Sequence, residues 1–179
     1  ADTGRVALLL HSIGDLERIG DHALGLAKTA EEIFHKEIQF STSAQQDIMT
    51  LRMAIADIIG YTVNAFTQHD LAAARHVEPL EQIVDVLRVK MKEGHIDRMQ
   101  TGMCTQQTGF VYSDLITNCQ RISDHCSNIG GCVIEISTFE AMDQGIEWAK
   151  QHGMYVIMDW HSIGNLKDAK YTNPMYNTT

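Results

Sequence analysis

Apolar residues recur at Leu9, Ile13, Leu16, Ala23, Ala27, Ala30 and Phe34, with Ile19, Leu26 and Ile33 widening the stripe. Steps of three, four and seven predict an amphipathic helix over residues 5–37 that buries one face in a bundle. Ser41-Thr42-Ser43 breaks the pattern and offers caps for a second helix over residues 44–68, whose stripe is Ile48, Leu51, Ile55, Ile58, Ile59 and Phe66. Asp70 can cap a third helix over residues 71–93, and Pro79 inside it, having no N–H to donate, predicts a kink just before that residue. Gly94, Gly102 and Gly109 punctuate the approach to a fourth helix over residues 109–136. Its stripe, Val111, Leu115, Cys119, Ile122, Cys126, Ile129, Val133 and Ile136, alternates steps of four and three, a near-heptad seam.

The texture changes after Ser137. Residues 139–152 predict a short helix ended by Gly153, and Met154-Tyr155-Val156-Ile157-Met158-Asp159-Trp160 predicts a buried strand, an α/β unit rather than more bundle. Residues 165–179 are polar, with Asn173-Pro174 favouring a turn. The expected fold is therefore mainly all-α, an antiparallel bundle of four long helices over residues 1–137, followed by a helix-strand-loop tail over residues 138–179.

Composition narrows the function. An apolar share of 44% excludes disorder, and 14 Lys and Arg against 23 Asp and Glu give a net charge of −9, which excludes the usual footprint of a nucleic-acid binder. No apolar run approaches the ~20 residues needed to span a bilayer. Cys104, Cys119, Cys126 and Cys132 fall in one helix and its leading turn with no C-x-x-C pair, which reads as reduced thiols in a reducing compartment. Cys119 and Cys126 stand on the seam and are expected to pack as small hydrophobes.

An internal repeat carries the candidate chemistry. Arg18-Ile19-Gly20-Asp21-His22 returns as Arg121-Ile122-Ser123-Asp124-His125, 103 residues on and again inside a helix. Glu17 and Asp21 are four apart on one helix face, and Gln120 and Asp124 match them on the other helix. Three carboxylates and one amide oxygen that converged would suit a hard or borderline cation; the alternative is a solvated acidic face paired with Arg18, Arg121 and Lys28. His22 and His125, one residue past each aspartate, either orient a ligand through a hydrogen bond or contact the neighbouring helix.

The string Asp15-Leu16-Glu17-Arg18-Ile19-Gly20-Asp21-His22-Ala23 resembles the signature of PhoU domains, and Arg121-Ile122-Ser123-Asp124-His125-Cys126-Ser127-Asn128-Ile129 resembles its second copy. The resemblance covers residues 5–137 and is nearest to the PhoU-like cytoplasmic region of bacterial sodium/phosphate cotransporters. It implies two similar three-helix bundles, of which the first two helices of the family pattern are missing here. It further implies a non-catalytic role in phosphate transport and homeostasis, at the inner face of the membrane without spanning it, through contact with a transporter or signalling protein. Iron or zinc bound through the repeated motif is implied too, with Glu17, Asp21 and Asp124 matching it and Gln120 standing where an acid is usual. The exposed apolar stripe left by missing helices predicts a homo-oligomer, a dimer in the simplest case.

Ile146-Glu147-Trp148-Ala149-Lys150 and the segment from Gly153 through Ser162 resemble a helix and strand of a cellulase-like (β/α)-barrel glycoside hydrolase, which would place His161 at a barrel mouth as a substrate contact. Both catalytic glutamates of that family would lie on later strands that are absent, so the tail is expected to have no activity. The alternative function is accordingly a glycosidase fragment, or a chimeric chain without surviving activity. His11-Ser12-Ile13-Gly14-Asp15-Leu16 and His161-Ser162-Ile163-Gly164-Asn165-Leu166 differ at one position, either a short match in two contexts or a junction between unrelated genes.

Overall fold

The computed structural model describes residues 2–154, all of whose regular structure is helical: α1 (Asp2–His35), α2 (Thr42–Gln68), α3 (Leu71–Gln100) and α4 (Gln106–Gln151). The chain divides into two compact units, Ala1–Ala141 and Met142–Thr179. The expected strand, apart from its first residue, and His161 lie outside the described residues.

The link between α2 and α3 is only His69-Asp70. His69 takes the left-handed conformation, φ 53°, and ends α2, and the Asp70 carboxylate then accepts hydrogen bonds from Ala72 N at 2.9 Å and Ala73 N at 3.1 Å. Two residues leave the chain no choice but to turn back, so α2 and α3 pair as a hairpin. Ser41 Oγ caps α2 by accepting from Ala44 N at 3.3 Å.

The main core draws on α2, α3 and α4. Leu51, Ile55 and Ile58 of α2, Val77, Val84 and Met91 of α3, and Tyr112, Ile116, Cys119, Ile122 and Cys126 of α4 bury together, with Ile19 and Leu26 of α1 packed against them. Cys119 and Cys126 are core residues, as their place on the seam predicts.

Two helix ends differ from the sequence reading, each for a local reason. α3 does not stop at residue 93 but runs through Gly94 to Gln100. Its buried positions Val77, Val84, Met91 and Arg98 repeat every seven residues, and the bonds that Arg98 makes with Asp47 and Ser43 of α2 offset the ~1 kcal/mol that one interior glycine costs. The helix also continues through Pro79. Likewise α4 does not break after Ser137 but runs unbroken to Gln151. No glycine or proline stands at residues 136–139, and the Thr138 hydroxyl donates to Ile134 O at 3.0 Å, a back-bond compatible with helix. Gly153 ends α4 as expected: at φ 67° it lets Met154 N reach Ala149 O at 2.9 Å.

Candidate functional site

The repeated motifs meet. The His22 ring on α1 and the His125 ring on α4 stack with centroids 5.8 Å apart and planes 21° from parallel. Each ring is held by a residue of the opposite helix. His125 Nδ1 lies 2.7 Å from Asp15 Oδ1, and because a carboxylate only accepts, the ring must donate there. His22 Nδ1 lies 3.0 Å from Asn118 Oδ1, whose own amide donates to Asp114 O at 2.9 Å and so turns its oxygen toward the ring.

These contacts obey the repeat. Asp15 precedes His22 by seven residues, and Asn118 precedes His125 by the same interval, so the two bonds are one interaction related by the 103-residue offset. A third pair obeys it with different chemistry. Asn128 donates to Asp15 Oδ1 at 3.1 Å, and its counterpart Gly25 leaves room for Asn118: a Cβ at Gly25 would stand 2.7 Å from Asn118 Oδ1. Sequence reasoning marked the two histidines and missed Asp15, Asn118, Asn128 and Gly25. The signal was present in the pairing of Asp15 with Asn118 across the repeat.

Solvent exposure divides the repeated helices. Tyr112, Ile116, Cys119, Cys126 and Val133 of α4 are buried, and their counterparts 103 residues earlier, Leu9, Ile13, Leu16, Ala23 and Ala30, are all apolar and all exposed. Ile13 is 57% exposed where Ile116 is 1% exposed. Thus α1 repeats part of the α4 seam on an exposed side, at Leu9, Ile13, Leu16, Ala23 and Ala30, while Ile19 and Leu26, the counterparts of Ile122 and Ile129, pack against the main core.

The proposed ligand residues differ in exposure. Glu17 and Asp21 are exposed on α1, while Asp124 is half-buried on α4 with its carboxylate 3.5 Å from Arg121 Nη1. Asp124 instead acts on an acid of α3: burial first, then the charges of Asp85, Glu78 and Asp124, push the Glu81 carboxyl above its usual range. Gln120 is half-buried. Among the described residues no three His, Cys, Asp or Glu side chains form a group able to hold a metal ion.

A second polar cluster closes the start of the α2–α3–α4 bundle. Arg98, 8% exposed, donates through Nη1 to Asp47 Oδ2 and Ser43 Oγ, each at 3.4 Å, and lies over the Tyr112 ring. Tyr112 donates to the same Asp47 oxygen at 3.2 Å, and burial, reinforced by Asp47, pushes its pKa up to about 12. The phenol is neutral and the cluster is a structural tie between the three helices.

No described helix is long and apolar enough to cross a membrane. A model of the PhoU domain family matches residues 48–133, which is the stretch that runs from α2 through most of α4. Among relatives, the chain is 22% identical over 139 residues to the phosphate-specific transport system accessory protein PhoU homolog 1 of Thermotoga maritima, covering 78% of this chain and 59% of the relative. It is 24% identical over 143 residues to the corresponding PhoU homolog of Streptococcus pneumoniae serotype 4, covering 80% and 65%. An uncharacterized protein of Deinococcus radiodurans is 26% identical over 123 residues, covering 68% and 44%. The chain therefore spans roughly half to two thirds of the length of the curated relatives it matches. No solved structure matches it significantly.

Proposed function

We propose that this chain is a PhoU-type, non-catalytic accessory or regulatory component of a phosphate transport system, working at the inner face of the membrane by docking onto a transporter or signalling protein. The PhoU match carries the reading, because it falls on the α2–α3–α4 bundle that the fold builds as one core, and two relatives are named as accessory proteins of phosphate-specific transport. The site agrees with a docking role. The polar groups where the motifs meet are occupied in holding α1 to α4, and the outward side of α1 is a helix-packing seam. Through that seam the chain self-associates, as large exposed apolar stripes do.

Iron or zinc held through Glu17, Asp21, Asp124 and Gln120 of the repeated motif is part of the proposal, and metal analysis of protein purified without chelator tests it. Binding of the purified full chain to a detergent-solubilised phosphate transport complex, followed by sedimentation, tests the main reading. Saturable co-sedimentation is expected, and its absence at high micromolar chain overturns the proposal.

A further inference from the structure

We propose that Cys104 is the reactive thiol of this chain, oxidised by hydroperoxides to a sulfenic acid with the His95 imidazole accepting its proton. The four cysteines are not equivalent. Cys119 and Cys126 are buried in the main core, and burial pushes both thiols up to about 11, where almost no thiolate exists at neutral pH. Cys132 is half-buried and lines a cavity that His11 also lines, but among the described residues its sulfur has no hydrogen-bond partner. Cys104 is half-buried too, but its sulfur lies 3.7 Å from His95 Nδ1, within reach for proton transfer.

The imidazole is fixed in place. Its Nε2 edge fits against Gly109, where a Cβ would stand only 2.6 Å away, and its face lies 5.3 Å from the Tyr112 ring. Burial, followed by the charge of Arg98, lowers the His95 pKa, so the resting ring is neutral and one of its nitrogens carries a free lone pair. Cys104 also stands just ahead of α4, whose first turn is capped by Thr105 Oγ1 accepting from Thr108 N at 3.2 Å, so its position is fixed by the start of that helix.

In the step, the Cys104 thiol proton passes to His95 Nδ1 and the thiolate attacks one oxygen of hydrogen peroxide. The S–O bond forms as the O–O bond breaks. Sulfur loses two electrons, and the leaving hydroxide takes the proton from His95 and departs as water. A half-buried thiol admits so small an oxidant more readily than a bulky disulfide.

The full chain is treated with hydrogen peroxide and dimedone, and adducts are mapped and timed by mass spectrometry. Cys104 should label ~10-fold or more faster than Cys132 in native protein, and the two rates should converge in urea, where the imidazole is no longer held against the sulfur. His95→Gln should lower the Cys104 rate by a similar factor, and so should Gly109→Ala, which displaces the ring, with far-ultraviolet circular dichroism unchanged in both. Equal native rates at Cys104 and Cys132, a Cys104 advantage that persists in urea, or a folded His95→Gln protein that labels as fast as wild type would overturn the proposal. The native-against-urea comparison uses wild-type protein and decides the matter even where a variant fails to fold.

Discussion

Replacing Asp15 separates a structural tie from an ordinary surface acid. The carboxylate accepts from His125 Nδ1 at 2.7 Å and from Asn128 Nδ2 at 3.1 Å, and the side chains of Asp15 and His125 are only 14% and 16% exposed. Asp15→Ala removes the acceptor and leaves the ring N–H poorly solvated. A hydrogen bond to a charged group contributes about 1.5–3 kcal/mol, so with Asn128 also losing its partner the expected loss is about 2–3 kcal/mol. Asp15→Asn should cost roughly 1 kcal/mol or less, because it keeps an acceptor and recreates the Asn118–His22 contact found at the other half of the repeat. Urea unfolding followed by helical circular dichroism measures both. A double-mutant cycle with His125→Ala should assign about 1–2 kcal/mol to the pair itself. If Asp15→Ala costs no more than a surface substitution, about 0.5 kcal/mol, or if Asp15→Asn is as damaging as Asp15→Ala, the crossing of α1 over α4 is not held as described.

Three further outcomes are expected. Leu51→Ala, at a position 1% exposed in the main core, should destabilise by about 2–5 kcal/mol in the same urea assay, with a value under about 1 kcal/mol excluding a packed core there. Glu81 binds its proton more tightly folded than unfolded, so it favours the folded state at pH below its ordinary value of 4.5, and that contribution is lost as pH rises through the raised folded pKa. Glu81→Gln should therefore raise the melting temperature at pH 7 more than at pH 4, and an equal shift at both would refute this account of burial and neighbouring acids. Thiol titration of native protein at neutral pH should leave Cys119 and Cys126 unmodified until the core unfolds; rapid labelling of either would contradict their burial.

The helices were legible because their buried faces are periodic: the seam through Cys119, Ile122, Cys126, Ile129 and Val133 can be written down from the sequence and is buried as written. Helix ends were less so. Gly94 and the change of composition after Ser137 look like stops, but a glycine's cost is small beside another buried turn at Arg98, and Ser and Thr do not break a helix when the hydroxyl bonds back along it. The motif histidines were legible by repetition, whereas Asp15 and Asn118 were not, because two different residues in equivalent places look unrelated until the helices are seen to cross. Acid spacing placed Glu17 and Asp21 on one face, but spacing along a helix says nothing of what stands opposite, and for Asp124 that is α3.

The account turns on the exposed apolar stripe of α1, Leu9, Ile13, Leu16, Ala23 and Ala30, being a helix-docking surface, since the residues at five equivalent places of α4 are buried. Sedimentation velocity of the full chain from low to high micromolar concentration, alongside Ile13→Glu and Leu16→Glu, measures this most directly. A charge placed on a seam that is closed by association costs several kcal/mol of desolvation, so the wild type should associate, in the simplest case to a dimer, and both variants should sediment as folded monomers. A wild-type chain that stays monomeric throughout, or variants that associate as strongly as wild type, would contradict it.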